Sequence, residues 1–119
     1  MMGLAETAVY RKLSEPAAEW ATSGARRALG FGEESVAAYC LDVAAAALAE
    51  EGERDRAAAI LGATERARER LGMALDDEER AMRDRAMAAI QPVLDGVELE
   101  RALAGGSDLD LAHALELAL

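Results

Sequence analysis

The side chains able to do chemistry are few along this chain. It has one histidine, His113, and one cysteine, Cys40. A metal site or a nucleophile–base pair needs several such groups, and His113 with Asp110 alone does not supply them, so we expect a structural or surface role for it. Cys40 lies on an apolar helical stripe with Asp42 as its nearest charge in sequence. We expect a buried small side chain there rather than a reactive thiolate. The sequence predicts no catalytic residue, no metal ligand and no cofactor.

Two pairs of adjacent carboxylates are candidates for acid–base chemistry. They are Glu50 with Glu51, and Glu78 with Glu79. Both pairs fall at the ends of predicted helices, where carboxylates usually serve as solvated or capping groups. We therefore interpret them as structural.

Three arginines cluster on the helix that follows Asp76, namely Arg80, Arg83 and Arg85. Such a cluster can bind phosphate. The simpler interpretation is that these arginines pair with Glu79 and Asp84 around them.

Large aromatic side chains are scarce. Trp20, Tyr10 and Phe31 could line a pocket. Because the chain has so few bulky residues, we expect them instead to plug the end of a helix stack.

Composition narrows the class of protein. Hydrophobic residues make up 52% of the 119 residues and aromatic residues 3%, so alanine and leucine dominate and an all-α fold is expected. The formal charge is −10, which argues against direct binding to nucleic acid or to anionic membranes. No signal peptide and no membrane-spanning run is recognised, and a lone cysteine suits a reducing cytoplasm.

The apolar periodicity predicts six or seven helices with short connections. Ser14 caps a helix over about 15–29, with Pro16 in its first turn. Two further helices cover about 33–51 and 53–71 and end at Gly52 and Gly72. The next opens on Asp76–Glu79, a capping-box pattern.

The two ends of the chain are less regular. Residues 1–13 carry only a loose stripe of Leu4, Ala8 and Leu13. After Pro92 we predict a short helix over about 97–103. Gly105 and Gly106 are expected to break it, and Ser107 or Asp108 to cap a last helix that includes Leu109.

Residues 33–72 fit the pattern of a helical-hairpin repeat. Ala45 and Ala57 are small where the two helices would touch, and Gly52 suits the turn between them. The charged residues 65–70 of the second helix are interpreted as a solvated face. One such unit cannot bury its own apolar face, so neighbouring helices must cover it.

The order of these segments resembles a known family. The resemblance covers about three quarters of the chain and is carried by residues 38–44 (AYCLDVA), 52–63 (GERDRAAAILGA), 66–72 (RARERLG) and 109–119 (LDLAHALELAL). It is to the C-terminal, tetratricopeptide-like end of large bacterial transcriptional regulators of the LuxR and SARP types and of related signal-transduction ATPases. The resemblance implies a helical domain that senses inducers or binds proteins. The DNA-binding and nucleotide-binding domains of that family lie upstream and are not present here.

These observations predict one domain over 1–119, a right-handed stack of antiparallel helical hairpins. Residues 1–13 are poorly defined, 33–72 form the best repeat unit and 76–119 form a C-terminal cap. The expected function is a non-enzymatic interaction or sensor module of a bacterial transcription-regulatory protein. Its partner is another protein or a second copy, as a homodimer that covers open apolar faces. The alternatives are a free-standing adaptor, or a domain that binds a small-molecule inducer near Trp20, Tyr39 and Met82. The sequence does not identify the residues that bind.

Overall fold

The computed structural model describes residues 15–119, and within this range the chain is all-helical, as the sequence predicts. The helices, in chain order, are α1 Glu15–Gly30, α2 Glu34–Glu50, α3 Arg54–Leu71, α4 Asp77–Ile90, α5 Gly96–Ser107 and α6 Leu111–Ala118. None of these helices is long and apolar enough to cross a bilayer. The expectations for the Leu4–Ala8–Leu13 stripe, Tyr10 and Ser14 fall outside the described residues.

Local sequence signals set most helix ends. The predicted capping box of α4 is present, because the Asp76 side chain accepts from the Glu79 N–H and the Glu79 side chain accepts from the Asp76 N–H. α5 begins with the same arrangement between Asp95 and Glu98. Gly52 follows α2 with a φ of 98°, a left-handed conformation that glycine adopts without steric cost.

Helix α2 is the centre of the fold. It packs against α1, α3, α4 and α6, and nearly all of its residues from Ala37 to Ala49 are buried. Seven of these are alanines, which let the neighbouring helices approach closely from several sides. Larger core side chains, Leu41, Ile60, Leu61 and Ile90, fill the space between them. Helix α4 packs mainly on α2, and α5 packs on α3.

The crossing of α3 and α5 brings two backbones into contact. A Cβ placed on Gly62 would lie 2.1 Å from the Leu103 carbonyl oxygen, and one on Gly106 would lie 1.8 Å from the Ala59 carbonyl oxygen. The prediction that Gly105 and Gly106 break the helix is therefore wrong. Helix α5 continues to Ser107 because Gly106 is buried at this crossing, and packing outweighs the low helix propensity of glycine.

The last helix begins later than predicted. Asp110, and not Ser107 or Asp108, is the N-cap of α6, and its side chain accepts from the His113 N–H at 2.8 Å. The His113 ring lies on the surface with Nδ1 2.7 Å from the same carboxylate. This hydrogen bond raises the pKa of His113, and the bond from the His113 backbone lowers the pKa of Asp110. His113 thus has a surface role, as expected, with its backbone N–H capped by Asp110.

Trp20 and Phe31 do not form the predicted aromatic plug. Trp20 is 57% exposed and Phe31 77% exposed, so neither closes the end of the described helices. The buried residues of α1 are small instead, namely Ala21, Ala25 and Ala28.

Candidate interaction groove

A long groove runs along the surface between α2 and α4. Its volume is about 790 Å³ and its surface is mostly apolar. The residues that line it are Tyr39 and Glu50 from α2, and Glu78, Ala81, Met82, Asp84, Arg85, Ala88 and Ala89 from α4. The α4 residues recur at intervals of three and four, so they form one continuous face of that helix.

The centre of this groove is apolar and adaptable. Met82 and Tyr39 pack against a small buried cluster of Ala21, Val43 and Ala44. The alanines of α4 make the floor shallow, and the flexible thioether of Met82 can adjust to a bound surface. Burial raises the pKa of Tyr39, and the nearby Glu78 carboxylate raises it further, so the phenol is a neutral hydrogen-bond donor at pH 7.

A second, smaller depression of about 320 Å³ continues from the groove past Tyr39. It shares Tyr39 and Glu78 with the groove and extends to Val36 and Met73. Val36 is 46% exposed. The groove therefore continues toward the N-terminal part of α2 as a depression of mixed polar and apolar lining, to which Ser35, Asp76 and Glu79 also contribute.

The rim of the groove is acidic. Glu78 and Asp84 are exposed along α4. At the far end Arg85 forms an ion pair with Glu50, with Nε 2.5 Å and Nη2 3.3 Å from the two carboxylate oxygens. The rim therefore has three carboxylates, on Glu50, Glu78 and Asp84, and one arginine, Arg85. This excess of negative charge favours cationic groups on a bound molecule.

The inner side of α4 is held by a buried polar cluster, which we define as Asp42, Thr64, Arg68 and Glu79. Its members come from α2, α3 and α4, and all four are buried. Arg68 donates to Glu79 Oε2 from Nε at 3.0 Å and from Nη2 at 2.7 Å. The Thr64 hydroxyl donates to Asp42 Oδ1 at 2.7 Å. The cluster fixes the start of α4 against the other two helices.

The ion pair between Arg68 and Asp42 is the least satisfied part of this cluster. Nη2 lies 2.7 Å from Asp42 Oδ2, yet that oxygen has no hydrogen-bond partner of good geometry, and neither does Nη1 of Arg68. The two groups therefore face each other as a buried ion pair. Burial raises the pKa of Asp42, despite the opposing effects of the Arg68 charge and the Thr64 hydrogen bond. Burial alone lowers the pKa of Arg68, but Asp42 and Glu79 outweigh it and the net direction is upward.

Two further arginines anchor the rest of α4. Arg83 donates to the Leu61 carbonyl oxygen at 3.2 Å and pairs with Glu65 at 2.8 Å. Arg54 of α3 donates to the Ala89 carbonyl oxygen at 3.0 Å. Helix α4 is thus held along its length, and the groove has a rigid wall on that side.

These contacts correct the interpretation of the arginine cluster. Arg83 and Arg85 do not pair with Glu79 and Asp84; they reach Glu65 on α3 and Glu50 on α2. Glu79 is engaged by Arg68 instead. Arg83 and Arg85 reach neighbours on different helices, because positions two apart on a helix face different directions. The cluster therefore does not converge on a shared phosphate site.

Sequence reasoning found part of the groove and missed its support. Tyr39 and Met82 line it, as expected for the pocket hypothesis, whereas Trp20 does not. Arg68 was assigned to a solvated face and is in fact buried. The available signal was Asp42, a carboxylate within the otherwise apolar run 36–49, which requires a buried partner.

The other candidate groups stay apart. Cys40 is buried, and burial raises the pKa of its thiol, so the thiol remains protonated at pH 7. Within residues 15–119, no three histidine, cysteine or carboxylate side chains come close enough to hold a metal ion. Comparison of the chain with family models, with curated proteins and with solved structures gave no match.

Proposed function

We propose that this chain is a non-enzymatic interaction module and that the groove between α2 and α4 binds a helical segment of a partner protein. The observation that carries this proposal is a long, mostly apolar groove with an acidic rim, one wall of which is fixed to the core by three arginines. Apolar surface of this kind on a small domain is typical of interaction sites.

The proposal extends to the architecture and setting. The chain is a tetratricopeptide-like, right-handed stack that ends in a helical cap, and it acts in the cytoplasm as part of a bacterial transcription-regulatory protein. Support comes from the packing of α4 on α2 and of α5 on α3, so that one pair of helices lies on the preceding hairpin. Binding at the helical surface would then bias a larger assembly, with no direct contact to nucleic acid or membrane.

The shape of the groove favours an α-helix as the occupant. The alanines at 81, 88 and 89 leave room for the side chains of another helix to enter between those of α4. An amphipathic partner helix would place its apolar stripe on Met82 and Tyr39. Lysine or arginine residues beside that stripe would face Glu78 and Asp84.

The acidic rim should select the sign of charge on the bound helix. Two synthetic amphipathic peptides with the same leucine stripe are compared, one with lysine and one with glutamate on its flanks. We expect the lysine peptide to bind at least about tenfold more tightly at low salt, because it complements the acidic rim. Fluorescence anisotropy of labelled peptides measures both affinities.

A pair of variants tests whether the lysine peptide binds in this groove. Ala88→Arg introduces bulk and positive charge into the groove at an exposed position, so the fold should persist while the affinity for the lysine peptide falls about tenfold or more. Ala112→Arg makes the same change at an exposed position on α6 and should leave the affinity unchanged. Equal binding of both peptides, or binding that Ala88→Arg does not weaken, would overturn the proposal.

A small-molecule ligand is the second candidate, and the volume of the groove favours it. About 790 Å³ lies within the range of roughly 300–1,000 Å³ that is usual for such sites. The acidic rim selects an apolar amine, and the phenol oxygen of Tyr39 can accept a hydrogen bond from its ammonium group. We expect a thermal-shift screen of apolar amines and their neutral isosteres to give stabilisation by the amines alone, by about 2.7 kcal/mol at 100 times the dissociation constant. A shift that persists in Ala88→Arg would place the ligand elsewhere.

A further inference from the structure

Helix α1 presents a polar and aromatic face to solvent, on the side away from the core. Glu19, Trp20, Ser23, Arg26 and Arg27 are all exposed on this face. Trp20 is the one tryptophan of the chain and is 57% exposed. A single exposed apolar side chain is common in folded proteins and does not by itself indicate an interface. The arrangement of charges around Trp20 does indicate one.

The charged and aromatic residues of this face are spaced symmetrically about Ser23. Glu19 lies four residues before Ser23 and Arg27 four residues after it; Trp20 and Arg26 lie three residues before and after. On an α-helix, equal steps forward and backward from one residue are displaced equally along the axis and equally to opposite sides. In an antiparallel pair centred on Ser23, the two-fold axis lies between the two helices and is perpendicular to both. It reverses the direction along the helix but leaves each side of the face on the same side, so it brings Arg26 of one copy near Glu19 of the second. The same rotation brings Arg27 near Trp20.

We infer that the exposed face of α1 is the contact surface for a second copy of this chain, in an antiparallel, two-fold pairing centred on Ser23. Each contact then occurs twice, as a two-fold interface requires. The two ion pairs are Arg26 with Glu19, and the two cation–π contacts are Arg27 over the Trp20 indole. Ser23 is small, so the two helices can approach closely at the axis.

Within residues 15–119, these charged groups form no ion pair. In the part of the chain that the structure describes, no ion pair involves Glu19, Arg26 or Arg27, whereas Arg56, Arg66, Arg68, Arg83 and Arg85 all form one. Two adjacent arginines on an otherwise acidic protein also offset the repulsion between two copies that each carry a charge of −10. The pairing is independent of the groove, which lies on α2 and α4.

The size of the surface sets the strength of the dimer. A helix of 16 residues is about 24 Å long, so one helix pair buries less than the roughly 800 Å² per partner of a standard stable interface. We therefore expect a weak dimer in rapid exchange, with a dissociation constant in the range of tens to hundreds of micromolar.

Charge reversal tests this pairing in the full chain. Sedimentation equilibrium gives the dissociation constant, and the emission of Trp20 should move to shorter wavelength as concentration rises, because dimerisation shields the indole. Glu19→Arg and Arg26→Glu should each weaken the dimer by about tenfold, since two ion pairs become two like-charge contacts. Arg101→Glu, an equal charge change at an exposed site on α5, should weaken it far less.

A two-fold axis makes a stricter prediction. Mixing the Glu19→Arg variant with the Arg26→Glu variant should restore association, because each chain then offers the charge that the other lacks. The double variant Glu19→Arg/Arg26→Glu should dimerise by itself for the same reason. Circular dichroism verifies that all variants are folded. A strict monomer at several hundred micromolar, a dimer insensitive to Glu19→Arg, or a mixture that fails to associate would each overturn the inference.

Discussion

Gly106→Ala is expected to destabilise the fold by about 3 kcal/mol or more, the cost of severe overpacking. The added Cβ would lie 1.8 Å from the Ala59 carbonyl oxygen and 2.6 Å from the Ala59 Cα. Both are backbone atoms inside helix α3, so no side-chain rotation relieves the overlap. Helices α3 and α5 must separate, which opens the core around Leu61.

The neighbouring glycine supplies a matched control. A Cβ on Gly105 meets nothing within 4 Å, although this residue belongs to the same helix and the same dipeptide. Gly105→Ala should therefore stabilise the protein by about 0.5–1 kcal/mol through helix propensity. Urea unfolding followed by circular dichroism measures both changes. If the two variants shift the midpoint in the same direction, the close crossing of α3 and α5 is wrong.

This pair also shows where sequence reasoning stops. A Gly–Gly dipeptide has one local meaning, as a helix breaker, and one tertiary meaning, as a place where another backbone approaches. Periodicity and capping patterns are local, and they located most of the described helices to within about two residues. Which of the two meanings applies depends on the path of α3, and no local pattern encodes that path.

The groove illustrates the same division. Tyr39 and Met82 were predictable as pocket residues because each stands out by size on an alanine-rich helix. Arg68 was not, since it lies among Arg66, Glu69 and Arg70 in a run of charges that is typical of a solvated face. Its burial follows from the position of α4, whose Glu79 covers it.

Arg68→Met is expected to destabilise the fold by a comparable amount, about 3–5 kcal/mol at pH 7. Methionine retains much of the apolar stem but leaves Asp42, which is 0% exposed, without a counter-charge. It also leaves Glu79 without its arginine donor. A buried carboxylate that has lost its cation must either remain charged in the core or take up a proton, and both are costly at neutral pH.

An exposed arginine of the same helix is the control. Arg66→Met changes the same charge on α3 two residues earlier, and we expect less than about 1 kcal/mol because its ion pair with Glu69 lies on the surface. Urea unfolding of the two variants and of the unmodified chain gives the comparison. Equal losses in the two variants would mean that the buried polar cluster contributes nothing specific to stability.

The pH dependence identifies Asp42 as the source of the loss. Burial raises the pKa of this carboxyl in the folded protein, and removing the Arg68 charge, which opposes that shift, raises the pKa further. A raised carboxyl pKa means that the folded state binds a proton more readily than the unfolded state does, so the variant gains stability as pH falls from 7 toward the ordinary aspartate value of 3.8. The deficit of Arg68→Met relative to Arg66→Met should therefore shrink over this interval.

Asp42→Asn combined with Arg68→Met should be more stable than Arg68→Met alone at pH 7, because it removes the buried charge. A deficit that does not change with pH would instead assign the loss to packing of the arginine stem.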